Sequence, residues 1–228
     1  MHVVVVIPAY NEGEQLQVTL TELCSTPYTL VLVDDGSTDQ TGEIVRHYPV
    51  HYVRHPVNLG QGAALETGTR YAVHLKADAV IHFDADGQHP VDEIPALLDP
   101  ILRGEADVVL GSRFLGSQGI AAVPPSKRIL LRAARLVSAL FTGVWLTDTH
   151  NGFRALSRKA ALSISLRESG FAHATEILEE IRRHGLRYCE IPVTIRYTEY
   201  SRRKGQKLRN SLNILFDLIL HKVSHGVN

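Results

Sequence analysis

The chain has 228 residues, a length that suits one α/β domain with a substantial core. Lysine plus arginine and aspartate plus glutamate each number 24, so no overall positive charge favours nucleic acid as a partner. Cys24 and Cys189 lie far apart and lack CxxC or Cys/His ligand spacing. This predicts buried thiols in a reducing compartment and excludes a disulfide framework.

The first residues, MHVVVVIPAYNE, contain an apolar stretch that is too short for a signal peptide. Arg132 and Arg135 interrupt the longest apolar candidate, residues 129–146, so no window reaches the roughly 20 apolar residues that cross a bilayer. We therefore expect a cytoplasmic protein that can lie on a membrane without spanning it.

Short β-branched runs alternate with helical stretches over the first half of the chain. The predicted strands are 3–7, 30–33, 51–54, 79–83 and 107–111. Between them, apolar or small residues recur at helical spacing, namely Leu16, Leu20 and Leu23, then Ala64, Gly68, Tyr71 and Leu75, then Ile94, Leu97, Leu98 and Ile101. This β-α-β-α order predicts an α/β fold with a largely parallel sheet that helices cover on both faces.

Four polar loops follow the first four predicted strands: PAYNEGE, DDGSTDQT, HPVNLGQGAA and DADGQHP. Ligands of such sheets bind beyond the carboxyl ends of the strands, so the loops predict one shared site. Ser37, Thr38 and Asp39 can simply cap a helix, but capping does not explain Asp34 and Asp35 at the strand end. Neither a phosphate-binding GxxxxGK[ST] loop nor a GxGxxG after the first strand occurs.

Asp84 and Asp86 occupy alternate positions directly after the fourth apolar run. Residues i and i+2 of an extended chain project to the same side, so these two carboxylates repel each other. Either a cation lies between them or one of them holds a proton.

The pattern changes after residue 112. A Gly/Pro-bearing loop (115–125) leads to a basic amphipathic stretch (126–141), to TDTHNGFRALS, to a helix near 173–184, to a strand (186–197) and to an amphipathic terminal helix from about 209. Pro192 predicts that the last strand is irregular or lies at a sheet edge. We expect one domain over residues 1–200, with halves 1–112 and 113–200, followed by a basic tail over 201–228.

Six blocks, in this order, resemble family 2 glycosyltransferases of the GT-A fold: VVIPAYNEGEQL, VLVDDGSTDQT, NLGQGAALETG, DADGQHP, GSRF and NGFRALSR. The similarity is greatest to polyprenyl-phosphate sugar synthases such as dolichol-phosphate mannose synthase. It implies an inverting, metal-dependent transfer of a sugar from a UDP- or GDP-sugar to a polyprenyl phosphate. The first half would then bind the nucleotide-sugar and the second half the acceptor.

The resemblance also implies roles for individual residues. The base and ribose of the donor would be surrounded by Pro8, Tyr10, Glu12, and Asp34 or Asp35. The donor diphosphate would be bound through Mg²⁺ or Mn²⁺ by Asp84, Asp86 and Gln88, and hard oxygen ligands suit both ions. Such a metal answers the question that the two carboxylates raise. His89 is a further candidate ligand, but as one of 12 scattered histidines it is better explained as a plain loop residue.

The acceptor phosphate would be held by Arg113 of GSRF together with Ser126, Lys127, Arg128 and Arg132. The planar guanidinium group binds phosphate in a bidentate way. Alternatively, Arg128, Arg132 and Arg135 form only the solvated stripe of an amphipathic helix. Asp148, before NGFR, matches an acidic residue near the reacting atoms in some relatives, and Glu176 is a second candidate. For each of the two, a purely structural role is an alternative of at least equal weight.

The tail departs from the synthase pattern, because Gln206 and Lys207 stand where a serine often follows the glycine. Its apolar stripe, which includes Leu212, Leu215 and Phe216, suits core packing or docking on a membrane surface. A polyprenyl acceptor would require such docking or a separate membrane protein as partner. The sequence leaves the oligomeric state open.

Three other functions compete with this assignment. The same fold can transfer a sugar to a sugar hydroxyl in the assembly of cell-surface polysaccharide. A nucleotide-sugar-binding module without turnover is disfavoured by the intact set of Asp84, Asp86, Gln88 and Arg113. A nucleotidyltransferase is disfavoured because its Gly-rich, Lys-bearing first loop is missing.

Overall fold

The structure is a computed structural model that describes residues 1–115, 143–149, 151–168 and 172–196, and for Glu14 the backbone alone. Its strands are β1 Val3–Ala9, β2 Thr29–Asp34, β3 His51–Arg54, β4 Ala79–His82, β5 Val108–Ser112, β6 Arg154–Ser157 and β7 Tyr188–Pro192. Its helices are α1 Gly13–Cys24, α2 Thr41–Val45, α3 Gln61–His74, α4 Ile94–Leu102, α5 Arg158–Ser163 and α6 His173–Arg183. A 3₁₀ turn over Val91–Glu93 precedes α4.

The strands form one seven-stranded sheet in the order β3-β2-β1-β4-β6-β5-β7. β1 pairs with β2 and β4, β2 with β3, and β5 with β7, all in parallel. Only β6 runs the other way, between β4 and β5. The predicted α/β fold with a mostly parallel sheet is therefore confirmed, and β6 joins the two halves of the chain in one sheet.

Two apolar layers cover the two faces of the sheet. Side chains of β1 alternate between them, with Val3, Val5 and Ile7 in one layer and Val4 and Val6 in the other. Helices α1 and α4 contribute to the first layer, and α3, α5 and α6 contribute to the second. Burial on both faces explains why the strands read as continuous apolar runs instead of alternating ones.

The five strands predicted for the first half match β1 to β5 to within two residues at either end. The helix near 173–184 is confirmed as α6. β6 was not predicted, because its four residues, RALS, show no strand periodicity and gain their pairing from both neighbours. The last strand is shorter than expected, but β7 does lie at the sheet edge and ends at Pro192, as that proline indicated.

Several predictions fall outside the described residues. These are the amphipathic stretch 126–141, nearly all of the loop 115–125, the terminal helix and the tail over 201–228. The domain boundary at residue 200 therefore stays a prediction. Within the part of the chain that the structure describes, no helix is both long enough and apolar enough to cross a bilayer.

Candidate functional site

The carboxyl ends of β2, β1 and β4 lie side by side, because these three strands are parallel neighbours. Asp34 pairs with Ala9 at the ends of β2 and β1, and Val6 pairs with His82 at the end of β4. The loops that follow these strands therefore meet at one edge of the sheet. This is where the sequence predicted the site.

Asp34 is fully buried and organises the loop after β2. Its Oδ1 accepts a hydrogen bond from the Ser37 amide at 2.8 Å, and its Oδ2 accepts one from the Tyr52 hydroxyl at 2.7 Å. Burial and this carboxylate raise the pKa of Tyr52 to about 12, so the phenol keeps its proton. Gly36 permits the turn, since its φ is +74° and a Cβ at this position would lie 2.6 Å from the Val57 carbonyl carbon.

Asp35 is 2% exposed and connects this loop to the start of α3. Its Oδ1 accepts from His55 Nδ1 at 2.7 Å and from the Leu59 amide at 2.9 Å. Its Oδ2 accepts from the Gly60 amide at 2.7 Å. Asp34 and Asp35 thus hold loops in place through contacts within the chain, and a direct contact of either one with a nucleotide stays a prediction.

The other predicted donor residues differ in exposure. Pro8 is buried inside β1, where it pairs with Val33. Tyr10 follows β1 and is 43% exposed, so its ring is accessible to a ligand. Glu12 precedes α1, and its amide donates to Thr41 Oγ1 at 3.1 Å. The three residues remain predicted donor contacts, with Tyr10 the most accessible of them.

Asp84 is the more strongly held of the two carboxylates after β4. Its Oδ1 accepts from Gln61 Nε2 at 2.9 Å, and its Oδ2 accepts from His89 Nε2 at 3.2 Å. Burial acts to raise the pKa of Asp84, but the hydrogen bond and charge of His89 and the charge of Arg154 outweigh it and bring the pKa below its ordinary value. Asp84 therefore stays ionised.

Asp86 behaves in the opposite way. Burial and the negative charge of Asp84 raise the pKa of Asp86 to about 6, although its Oδ1 accepts a hydrogen bond from the Gln88 amide at 3.0 Å. The charge of one carboxylate thus disfavours ionisation of the other, and without a cation Asp86 holds its proton up to about pH 6. His89, which sequence reasoning treated as a loop residue, is 4% exposed and stacks on Phe153 at 4.8 Å between ring centroids.

Carboxylate and amide oxygens are suitable ligands for Mg²⁺ or Mn²⁺, so the side chains of Asp84, Asp86 and Gln88 fit such an ion by their chemistry. Among the described residues, no group of three His, Cys, Asp or Glu side chains is arranged to hold a metal. Ions of this class usually keep waters and share phosphate oxygens, so a two-carboxylate site that a diphosphate completes is consistent with this finding.

Gly152 brings the backbone after residue 150 directly against Asp84. A Cβ at this position would lie 2.3 Å from Asp84 Oδ2. We expect Gly152→Ala to displace the Asp84 carboxylate and to weaken Mn²⁺ binding by about tenfold or more, although every ligating group remains. Titration of the protein with Mn²⁺, followed by electron paramagnetic resonance, measures this.

Gly104→Ala is a suitable control for that experiment, because nothing lies within 4 Å of its added Cβ. Its positive φ of +68° makes it mildly strained, so it reports the effect of backbone strain away from the site. Equal Mn²⁺ affinities of Gly152→Ala and the wild-type protein would contradict the assignment of Asp84 as a ligand.

Arg113 and Asp148 form a bidentate ion pair. Arg113 Nε donates to Asp148 Oδ2 at 2.6 Å, and a terminal nitrogen donates to Oδ1 at 2.7 Å. The Arg113 amide also donates to Oδ2, at 3.1 Å. Asp148 is 5% exposed, whereas the Arg113 side chain is 37% exposed. The two residues that the resemblance places near the reaction are therefore one unit, in which the carboxylate orients the guanidinium group.

Glu190 of β7 holds the segment that carries Asp148. It accepts hydrogen bonds from the Thr147 amide at 2.8 Å, from the Thr147 hydroxyl at 2.9 Å and from the Asp148 amide at 3.1 Å. Sequence reasoning missed Glu190, since nothing in the pattern CEIP distinguishes it from an ordinary strand residue. Its role depends on the parallel pairing of β7 with β5.

Arg154 is a second residue that sequence reasoning missed as an individual, although it belongs to the quoted NGFR block. It is 3% exposed, and its guanidinium group donates to the Asn151 carbonyl at 3.0 Å and to the Gly152 carbonyl at 3.3 Å. Burial lowers the pKa of Arg154 to about 10, while the charges of Asp84 and Asp148 act to raise it. Its positive charge thus lies among the carboxylates of the site.

Among the residues that the structure describes, Glu176 forms no hydrogen bond or ion pair with these groups. Its carboxylate accepts hydrogen bonds from the amides of Arg167 and Glu168 at 2.9 Å and so links residues 167 and 168 to α6. This geometry suits the structural alternative that was open for Glu176. The predicted phosphate-binding residues Ser126, Lys127, Arg128 and Arg132 lie outside the described residues.

Comparison with known proteins supports the assignment by resemblance. The family model for glycosyl transferase family 2 matches residues 4–164. A UDP-N-acetylglucosamine–dolichyl-phosphate N-acetylglucosaminyltransferase from Methanococcus voltae is 30% identical, over 96% of this chain and 95% of that protein. An undecaprenyl-phosphate mannosyltransferase from Micrococcus luteus is 31% identical, over 85% of this chain and 83% of that protein.

Solved structures show the same architecture. Glucosyl-3-phosphoglycerate synthase from Mycobacterium tuberculosis, in complex with phosphoglyceric acid, matches with a TM-score of 0.64 and 25% identity, over 87% of this chain and 72% of that chain. A second structure of that enzyme, with Mn²⁺ and UDP-glucose, matches with a TM-score of 0.64 and 24% identity, over 87% and 71%. At this identity the second match shows the fold alone.

Proposed function

The chain belongs to glycosyl transferase family 2, and from that membership we propose an inverting, metal-dependent glycosyltransferase that moves a sugar from a UDP- or GDP-sugar to a polyprenyl phosphate. The enzyme would act at the cytoplasmic face of a membrane. One observation carries the donor half of this proposal, namely the pair Asp84 and Asp86 at the carboxyl edge of the sheet. Two partly buried carboxylates, of which one has a pKa raised to about 6, form a site that a divalent cation would complete.

The metal would be held by Asp84, Asp86 and Gln88, and when bound it would supply a Lewis acid for the charge of the departing diphosphate. Gln61 and His89 keep the Asp84 carboxylate in position for this task through hydrogen bonds of 2.9 and 3.2 Å. Arg154 stabilises the same region, because its guanidinium group donates hydrogen bonds to the carbonyls of residues 151 and 152. The chain thus fixes the Asp84 carboxylate before any substrate binds, and such preorganisation favours electrostatic catalysis.

The acceptor half of the proposal depends on Arg113. Its guanidinium group is oriented by Asp148, and because its side chain is 37% exposed, an acceptor phosphate could approach its N–H groups. An oxygen of the acceptor phosphate would attack the anomeric carbon as the bond from this carbon to the diphosphate oxygen breaks. The electron pair leaves with the nucleoside diphosphate, and the configuration at the anomeric carbon inverts. The names of the two relatives, which act on dolichyl and undecaprenyl phosphate, support this acceptor class.

A sugar or other hydroxyl is the second candidate acceptor, and the name of the similar glucosyl-3-phosphoglycerate synthase supports it. A hydroxyl acceptor needs a general base, and Asp148 is the candidate, because the resemblance places an acidic residue near the reacting atoms at this position. Both oxygens of Asp148 already accept hydrogen bonds from Arg113, however, so this carboxylate is engaged in orienting a cation. This geometry favours the phosphate acceptor.

A panel of nucleotide-sugars tests the proposal directly. The full chain is incubated with UDP-glucose, UDP-N-acetylglucosamine or GDP-mannose and Mn²⁺. Each mixture contains no acceptor, a short-chain polyprenyl phosphate or a free sugar, and released nucleoside diphosphate is measured. We expect release with at least one donor, stimulated at least tenfold by the polyprenyl phosphate and abolished by EDTA. Release that responds only to a sugar acceptor would favour the hydroxyl alternative, and no release with any donor would contradict turnover.

Membrane association has a convenient reporter in Trp145, the single tryptophan of the chain. Its side chain is 61% exposed, although its neighbours Val144 and Leu146 are buried, and its amide donates to the Tyr188 hydroxyl at 3.3 Å. Indole and phenol groups prefer the interface between lipid and water. Trp145 lies three residues before Asp148, so a membrane that presents a lipid phosphate to Arg113 would also approach this ring.

We therefore expect the tryptophan emission to shift to shorter wavelength when anionic vesicles are added, and the shift to reverse as salt is raised. Vesicles of neutral phosphatidylcholine are the matched control and should give a smaller shift. If the protein sediments with anionic vesicles but its emission does not change, the membrane contacts another surface of the protein.

A further inference from the structure

Three buried side-chain nitrogens lack a hydrogen-bond partner within the described part of the chain: His82 Nδ1, His89 Nδ1 and Asn151 Nδ2. All three belong to segments around Asp84. His82 ends β4 two residues before Asp84, His89 donates to its carboxylate, and Asn151 precedes the glycine that touches it. Buried polar atoms are almost always paired, so unpaired nitrogens gathered around one carboxylate indicate a partner that the described part of the chain does not supply.

Asn151 is the most informative of the three, because its orphan atom can only be a donor. Its Oδ1 accepts a hydrogen bond from the Phe153 amide at 3.0 Å, which fixes the orientation of the side-chain amide. Its NH₂ group must therefore face a partner that accepts hydrogen bonds. A histidine ring nitrogen can either donate or accept a hydrogen bond, so His82 Nδ1 and His89 Nδ1 do not define the chemistry of the partner.

The position of Asn151 is rigid. The residue is 6% exposed, and its carbonyl accepts from the buried guanidinium group of Arg154 at 3.0 Å. The next residue, Gly152, lies so close to Asp84 that a Cβ would come within 2.3 Å of a carboxylate oxygen. The side-chain NH₂ group of Asn151 is thus fixed one residue away from the backbone that packs against Asp84. The diphosphate of the nucleotide-sugar is proposed to bind at Asp84.

We propose that Asn151 Nδ2 donates a hydrogen bond to an oxygen of the bound nucleotide-sugar, which makes Asn151 a substrate-binding residue. This inference rests on the proposed function, since it concerns the same site. The oxygen belongs either to the diphosphate or to the transferred sugar, and both accept hydrogen bonds from an amide. In the free protein the buried, unpaired NH₂ group raises the free energy of the folded state. The proposed contact pairs this group and therefore makes the free energy of binding more favourable.

Two substitutions separate this role from a role in the local turn. Asn151→Ser keeps an oxygen that can accept from the Phe153 amide but removes the NH₂ donor, whereas Asn151→Ala removes both. If Asn151 only stabilises the turn, serine should restore what alanine loses. If its amide binds substrate, both variants should bind nucleotide-sugar equally weakly while serine retains more of the stability.

Calorimetric titration with Mn²⁺ present measures binding of UDP and GDP, and of UDP-glucose, UDP-N-acetylglucosamine and GDP-mannose, to the full chain. For the donor that the wild-type protein binds, we expect the dissociation constant to rise about 10- to 100-fold in both variants. A rise for the nucleotide-sugar alone places the contact on the sugar. An equal rise for the nucleoside diphosphate places it on the diphosphate.

Unchanged affinity of Asn151→Ser for both ligands would overturn the inference, provided that its melting temperature shows a folded protein. Failure of the wild-type protein to bind any nucleotide or nucleotide-sugar would instead overturn the proposed function itself. The two failures are distinguishable, because the first appears only in the variants and the second already in the wild-type chain.

Discussion

Replacing Asp86 with asparagine is expected to reduce sugar transfer by a factor of about 10³ or more while making the metal-free protein more stable. The loss of activity follows from removing a proposed metal ligand. The gain in stability follows from the surroundings of Asp86, where burial and the charge of Asp84 raise the pKa of its carboxyl to about 6. Asparagine has nearly the same shape and no charge.

The sign of the pH dependence follows from this raised pKa. Because the folded state binds the Asp86 proton more tightly than the unfolded state, stability falls as pH rises from about 4 to about 6 and stays low above that. At pH 7 in EDTA, Asp86→Asn should raise the free energy of unfolding by about 1 to 3 kcal/mol. Near pH 4 the wild-type and variant proteins should be almost equally stable.

Denaturant unfolding at several pH values measures these differences, and added Mn²⁺ should stabilise the wild-type protein but not the variant. Asp92→Asn is a matched control, because Asp92 lies six residues away and its side chain is 83% exposed. It should change stability by less than about 0.5 kcal/mol. Full activity of Asp86→Asn, or of the wild-type protein in excess EDTA, would refute the metal assignment.

Replacing Arg113 with glutamine should reduce transfer to polyprenyl phosphate by about 10² or more, with much less effect on hydrolysis of the donor by water. The acceptor phosphate has a second pKa of about 6, so it is already nucleophilic at neutral pH and needs a cation to hold it. Arg113→Lys should rescue only part of the activity, because ammonium cannot reproduce the bidentate contact with Asp148.

The expected ranking of variants distinguishes the two acceptor classes. Asp148→Asn should lower transfer less than Arg113→Gln does, because it loosens the guanidinium group without removing it.

Glu176→Gln should lower stability more than it lowers the rate of transfer, since Glu176 accepts hydrogen bonds from the amides of Arg167 and Glu168. Arg103→Gln serves as a control on an exposed arginine that pairs with Asp99.

Rates of transfer to lipid and of donor hydrolysis, measured side by side across pH, decide between the alternatives. Loss of all transfer in Asp148→Asn, with normal donor and Mn²⁺ binding and loss of an acidic limb in the pH profile of transfer, would identify Asp148 as a general base. The acceptor would then be a hydroxyl, and the phosphate acceptor would be abandoned.

The sequence by itself determined the fold class and the edge of the sheet at which the site lies. Continuous apolar runs at β1, β2 and β4 mark strands buried on both faces, and parallel strands bring their carboxyl ends together. The spacing of Asp84 and Asp86 by itself predicted that the two carboxylates repel each other. These properties depend on residues close together in the chain, which is why local pattern was sufficient.

Only the tertiary structure decided how the site is held together, because the contacts concerned join residues far apart in the chain. Asp148 binds Arg113 across 35 positions, Glu190 binds Thr147 across 43, and Gln61 binds Asp84 across 23.

The strand β6 follows Gly152, which packs against Asp84, and it begins with the buried Arg154. It has too few residues to show a strand periodicity of its own. The fold also sets the charges: burial acts to raise the pKa of both Asp84 and Asp86, and their opposite shifts arise from neighbours that only the fold supplies.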